Sequence, residues 1–152
     1  MNIDPFPLPL DQVTGMPPNQ NYVPNLPIRQ FETLVTSSRF KLEAVCVECG
    51  ADLVVIVGGG ERYHIGALAL TISMPSINDS NRLTNSTYQV PVPGHKEEAL
   101  AREGSLLLSQ RLGRNVALSV GIHQDNLSPE GIQRYAEAFY ALVDLICKGY
   151  EI

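Results

Sequence analysis

Tryptophan is absent from this 152-residue chain, histidine and cysteine occur three times each, and no run of Lys and Arg is present. The missing basic run, with a formal net charge of −5, argues against nucleic-acid binding, which rests on clustered cations that displace counterions. No apolar stretch approaches the roughly 20 residues of a membrane span. The opening MNIDPFPLPL carries an acid where a signal peptide carries basic residues. A cytoplasmic protein that binds neither membrane nor nucleic acid is therefore expected. Cys46, Cys49 and Cys147 are too few and odd in number for a disulfide framework, so they are expected to be reduced. Cys46 and Cys49 form a C-x-x-C, but within KLEAVCVECGADLVVIV they read as strand, where positions three apart face opposite ways. A redox or metal pair is not expected there.

With 44% hydrophobic and 18% charged residues the composition is that of an ordinary globular chain, and its length suits one core rather than two. Residues 1–27 hold Pro5, Pro7, Pro9, Pro17, Pro18, Pro24 and Pro27, seven of the eleven prolines, which removes donors and fixes φ too often for helix or central strand. This segment is expected to be an arm, or a strap laid over the domain by Phe6, Leu8, Leu10, Val23 and Leu26. Residues 28–152 are expected to form a single α+β domain.

Three strand-like runs, RFKLEAVCVE, ADLVVIVG and YHIGALALTIS, are punctuated by Gly50 and by GGGER at 58–62, which reads as three neighbouring antiparallel strands joined by hairpins. Residues 75–86 are polar and turn-forming, and TYQVPV follows as a short edge strand blunted by Pro91. A helix is predicted from His95 to Leu112, with Leu100, Leu107, Leu108 and Leu112 as its stripe, Glu97 and Glu98 in its first turn, Gly104 as a weak point and Gly113 as its stop. RNVALSVGIH alternates cleanly as a strand. The last helix is announced by Ser128 as N-cap, Pro129 and a Leu127–Ile132 staple; Ile132, Tyr135, Ala136, Phe139, Leu142, Val143 and Ile146 form its core stripe, and Lys148 with Gly149 closes it. The predicted fold is a two-layer α+β, ββββαβα, with a mainly antiparallel sheet and two helices on one face. The other face, expected to carry Ile65, Ala67, Ala69, Ala117 and Gly121, needs a cover: a second subunit first, with the strap or a flat ligand as rivals.

A tight turn at Gly113 sets the first helix and the following strand side by side in opposite directions. About 18 helical residues span about 27 Å and about 8 strand residues about 26 Å, so His95 and His123 should share one edge. Two helix N-termini point there too, which suits an anion. His64 joins them only if its hairpin points the same way. Each histidine also has an ordinary reading: His95 exposed in a first turn, His64 half-buried in a strand, His123 bonded to the loop after it. Taken together, with Asp125 nearby, His64, His95 and His123 make a candidate site for a divalent metal with an open position. None of the compact zinc motifs is present. Gly58, Gly59 and Gly60 could cradle a phosphate as a nest of N–H groups or simply supply a turn. Arg62 and Lys96 could pair with phosphate or be solvated surface residues. The Asn78, Asn85 and Asn126 sequons carry no weight in a cytoplasmic chain.

The segments GGGERYHIGALAL, PVPGHKEEALARE and LGRNVALSVGIHQDNLSPEGI resemble the prenylated-flavin chaperones that accompany UbiD-type decarboxylases, the D component of gallate and protocatechuate decarboxylase systems. The similarity spans about residues 39–148. It implies a non-catalytic carrier that binds prenylated FMN (or FMN) and delivers it to an apo-decarboxylase, with Gly58–Gly60, His64, Lys96, His95, His123, Asp125 and Asn126 at matching motif positions. Such a role suits the residues: a flavin phosphate is a dianion, and Gly66, Ala67, Ala69 and Gly121 could let a ring approach the sheet. The competing expectation is an enzyme in which the histidines hold a catalytic metal and Glu61, Glu97 or Asp125 acts as base. A third is a small structural subunit of a decarboxylase.

Overall fold

The computed structural model describes residues 26–151; nearly all of the proline-rich segment lies outside them. Strands β1 (Ile28–Leu34), β2 (Lys41–Cys49), β3 (Asp52–Gly60), β4 (Ala67–Pro75) and β5 (Leu83–Pro91) come first, followed by helix α1 (Glu98–Leu112), strand β6 (Val116–His123) and helix α2 (Pro129–Tyr150). The six strands form one sheet in the order β1-β2-β3-β6-β4-β5, antiparallel except between β3 and β6. The α+β architecture is as expected, but the order is βββββαβα. The additional strand is IRQFETL, whose apolar Ile28, Phe31 and Leu34 recur every third residue and hide the alternation of a strand. It pairs along β2 from Ile28↔Val47 to Leu34↔Lys41.

The core lies on one face. Leu42, Ala44 and Cys46 of β2, Leu53, Val55 and Val57 of β3, and Val116, Leu118 and Val120 of β6 alternate into it and are buried. Against them α2 packs Tyr135, Phe139, Leu142, Val143 and Ile146, five of the seven residues of its predicted stripe; Ile132, in the first turn, is exposed and Ala136 is half-buried, because both turn toward the open end of the helix layer rather than into the core. The Ser128 side chain accepts from the Gly131 N–H at 3.0 Å, the predicted cap. Gly149 does not end this helix, which runs to Tyr150; the Phe31 ring of β1 occupies the place where a Cβ on Gly149 would stand, 2.6 Å away.

Helix α1 differs more from expectation. It begins at Glu98, so His95 and Lys96 precede it, and its buried residues are Ala101, Gly104, Ser105, Leu108 and Ser109 rather than a leucine stripe. Gly104 is what lets the helix approach: a Cβ there would sit 2.6 Å from Phe139 Cζ and 2.8 Å from Leu118 Cδ2. The small face meets β4 and β5 through hydroxyls. Thr71 Oγ1 lies 2.9 Å from both Thr87 Oγ1 and Ser105 Oγ, while Ser109 Oγ donates to the Arg114 carbonyl at 2.7 Å and accepts from Asn85 Nδ2 at 3.0 Å. The hydroxyls of Thr71, Ser105 and Ser109 are thus satisfied, as burial requires.

Three strand expectations need correction. Gly58–Gly60 is no hairpin turn but the end of β3, with Gly58 and Gly59 paired to β2 and β6 at once. Consequently β4 does not neighbour β3: β6 lies between them, and residues 61–66 cross over β6 instead of turning tightly. The loop before β5 is also shorter than 75–86, because LTNSTYQVP pairs fully along β4. Finally, the register Ala67↔Val120 and Ala69↔Leu118 puts Ala67 and Ala69 in the core row, so the face away from the helices carries Leu68 and Leu70 instead. With Ile56, Tyr88 and Val90 they form an exposed apolar surface around Ala117. Gly121 on that face is covered by the crossing segment, and Ile65 lies in that segment rather than in a strand.

All three cysteines are free; Cys46 and Cys147 are buried and Cys49 is exposed, as opposite strand faces require of the first and third of these. Burial pushes the Cys46 thiol up to about 12 and raises that of Cys147. Because the folded value of Cys46 lies above its ordinary 9.0, its linked stabilisation is complete below that pH and is lost as pH rises toward 12. Iodoacetamide at about pH 8 should therefore label one thiol per native chain, Cys49, and all three only after unfolding. Rapid native labelling of Cys46 would contradict the burial described.

Candidate functional site

The crossing segment 61–66 brings the histidines together. It leaves β3 with the Glu61 N–H donating to the His123 carbonyl at 2.7 Å, passes over Gly121, and rejoins the sheet where the Gly66 N–H donates to the Val120 carbonyl at 2.9 Å. The approach is close: a Cβ on Gly121 would stand 1.6 Å from the His64 carbonyl oxygen. Tyr63 lies across Gly58 in the same way, and its hydroxyl donates to the Glu43 carboxylate. That bond, then Lys41 at 2.9 Å, holds the Glu43 carboxyl below the usual range. His64, the least certain of the three from sequence, is the middle one. Its ring centroid lies 4.6 Å from that of His95 and 5.9 Å from that of His123.

Glu97 completes the group. Only 7% exposed, it sits at the N-cap of α1, where its carboxylate accepts from the Lys96 N–H at 2.9 Å and from the Ile122 N–H of β6 at 3.0 Å. Gly66 makes room for it, since a Cβ there would lie 2.5 Å from Glu97 Cδ. Oε1 stands 3.0 Å from His64 Nε2 and Oε2 3.9 Å from His95 Nδ1. The first contact is near enough for an ion pair but lacks hydrogen-bond alignment, and the buried Nε2 has no hydrogen-bond partner. Sequence reasoning saw Glu97 only as a first-turn acid and a possible base. The signal that could have found it is the glycine at 66, but its meaning depends on a partner 31 positions away in the chain.

His123 stands slightly apart. Its Nε2 lies 2.6 Å from Arg62 Nη2 and 2.9 Å from Asp125 Oδ1, with Arg62 also 3.5 Å from Asp125 Oδ2. A single ring nitrogen cannot accept from the guanidinium and donate to the carboxylate at once, so these two bonds alternate with the ring's protonation and tautomer. Asn126 follows in the left-handed region at φ 54. The triple glycine offers no free nest at Gly58 and Gly59, whose backbones are in the ladder, while Gly60, at φ 81, lies against the His123 carbonyl. Neither Gly66 nor Gly121 is open to a ring, since both are filled by the chain itself, and Ala67 and Ala69 lie beneath the helices.

An open cavity of about 580 Å³ lies between the start of α1, the end of β6 and the start of α2. His95, Lys96, His123 and Asn126 line it, and Leu100, Ile122, Leu127, Ile132 and Ala136 give it an apolar wall. Gln124 is held there by accepting from the Tyr135 hydroxyl at 2.7 Å. His64 and Gly58 instead line a second groove of about 390 Å³ on the far side of the crossing segment. Arg62 and Asp125 are paired on the surface beside His123.

Fold and site together define an α+β protein with a ligand-sized cavity, apolar within and rimmed by imidazole and ammonium groups. The chain belongs to the prenylated flavin chaperone family: residues 36–151 match the prenylated flavin chaperone LpdD-like domain. No curated protein matches it. Among solved structures it is similar to a chain from the crystal structure of a novel chaperone complex for yeast 20S proteasome assembly, at 10% identity and a TM-score of 0.48, over 82% of this chain and 98% of that one. No helix among the described residues is long and apolar enough to cross a membrane.

Gly121→Ala tests the site's construction. The added methyl meets backbone rather than a flexible side chain, so the crossing segment must lift, at a cost of about 2 kcal/mol or more. A shifted denaturation midpoint and displaced His64 ring resonances are expected; an unchanged midpoint would show that the segment does not lie on Gly121.

Proposed function

We propose that this chain is a non-catalytic carrier that binds prenylated FMN and hands it to a UbiD-type decarboxylase in the cytoplasm, with residues 28–152 as the carrier domain. The observation that carries the reading is the open cavity of about 580 Å³ in a chain of this family. Its volume falls in the range of roughly 300–1,000 Å³ usual for small-ligand sites. The apolar wall of Leu100, Ile122, Leu127 and Ile132 suits a ring system carrying a prenyl group, and the rim at His95 and Lys96 suits a phosphate. Asn126 lines the same cavity, Arg62 and Asp125 stand behind it on His123, and Gly58–Gly60 pair with the end of β6 that carries His123. An open cavity rather than an enclosed one fits a protein that must release its ligand to a partner.

Mixing the purified protein with prenylated FMN and passing it over a sizing column is expected to give co-elution, reduced about tenfold in affinity by Lys96→Ala through loss of a charge-assisted contact. The loaded protein should then activate an apo-decarboxylase. Failure to co-elute sinks the carrier reading, and turnover of an aromatic acid by this chain alone, lost in His123→Ala, would make it an enzyme.

The sheet face away from the helices supports a homodimer or higher homo-oligomer. Ile56, Leu68, Leu70, Tyr88 and Val90 are between 41% and 62% exposed on it, an apolar patch of the kind a second copy covers. Light scattering should give a multiple of the chain mass, and Leu70→Glu should return the monomer; a wild-type monomer at every concentration would refute it.

A further inference from the structure

We propose that His64, His95 and Glu97 form a three-ligand site for a divalent transition-metal ion, zinc foremost, with its open coordination positions available to an anionic ligand oxygen. One ligand atom from each residue lies within 4.8 Å of the others. The separations of 3.0 Å from Glu97 Oε1 to His64 Nε2 and 3.9 Å from Oε2 to His95 Nδ1, one from each carboxylate oxygen, lie on either side of the roughly 3.4 Å between neighbouring ligands on an ion with bonds of about 2.1 Å. Two imidazoles and one carboxylate are a set that zinc accepts while keeping a position open.

Two further observations point to an ion. His64 Nε2 is buried and makes no hydrogen bond, a costly state for a ring nitrogen unless something else takes its lone pair. The Glu97 carboxylate is held from behind, with the Ile122 N–H on Oε1 and the Lys96 N–H on Oε2, as outer partners orient a metal ligand. His123 is not in the set. Its Nε2 is taken by Arg62 and Asp125, so it borders the ion rather than binding it.

Charge links the ion to the cavity, and this step rests on the carrier reading. The buried Glu97 carboxylate already sits at the α1 N-terminus, where it would repel a phosphate dianion. A divalent ion on Glu97 and two neutral imidazoles reverses the local sign and gives a phosphate oxygen something to bind.

The full chain, stripped with chelator and kept free of flavin, is titrated with Co²⁺ as an optical probe and with Zn²⁺ in competition. One ion per chain is expected. His64→Ala, His95→Ala and Glu97→Gln should each weaken binding about tenfold or more, whereas His123→Ala should change it by less than that. His95 lies in the exposed stretch before α1, so its alanine variant decides the matter even if Glu97→Gln fails to fold. Inorganic phosphate should then alter the Co²⁺ spectrum of the loaded wild type. Absence of Co²⁺ and Zn²⁺ binding overturns the site and leaves His64 and Glu97 an ion pair; loss of binding in His123→Ala with retention in His95→Ala overturns the ligand set. An unchanged spectrum with phosphate removes the anion half alone. Because no flavin is present, these results stand apart from whether prenylated FMN co-elutes.

Discussion

The Glu97 carboxylate is the one buried charge at which three parts of the described chain meet. It takes N–H groups from Lys96, just before α1, and from Ile122, near the end of β6, and its body fills the space left by the missing side chain of Gly66 on the crossing segment. A carboxylate this deeply buried is costly unless its oxygens are met by donors, and charge-assisted bonds from backbone N–H groups are the strong kind. The start of α1, the end of β6 and the segment carrying His64 are thereby held in one arrangement. The distances among His64, His95 and Glu97 follow from that anchoring.

The anchoring is possible only because β6 lies between β3 and β4. Once β6 occupies that slot, residues 61–66 must pass over it, and a backbone can cross a strand closely only where side chains are absent. Gly121 lies beneath the His64 backbone and Gly58 beneath the Tyr63 ring. Glycines that look like turn or phosphate-loop residues in the sequence are thus spacers for a crossing. On its far side the crossing is tied down by Tyr63 and Glu43, with Lys41 bridging Glu43 and Glu32.

The two faces of the sheet divide the remaining work. The helix-covered face is dense, with α2 packing large apolar residues against β2 and β3 and α1 resting on β4 and β5 through a short row of hydroxyls. The other face is apolar and open. The cavity opens at the end of the sheet, where α1 and α2 begin, so a ligand there and a protein partner on the open face need not compete for the same surface.

Much of this was legible in the residues. The alternation of VALSVGIH, the cap and stripe of α2, the strand nature of the C-x-x-C and the family resemblance depend on neighbours a few positions apart, and local periodicity carries that information. The approach of His95 and His123 to one edge also followed, because element lengths and a tight turn constrain it. Sequence missed β1, whose apolar spacing suits an edge strand with few buried positions, and it put Ala67 and Ala69 on the wrong face because alternation identifies two faces without saying which meets the helices. It also could not order the strands. Insertion of β6 between β3 and β4 is a long-range pairing decided by the whole core. Sequence by itself determined the types of the elements after β1, the family and the three histidines; only the tertiary structure decided that Glu97 stands among them, because a buried carboxylate is placed by donors and empty space contributed from distant parts of the chain.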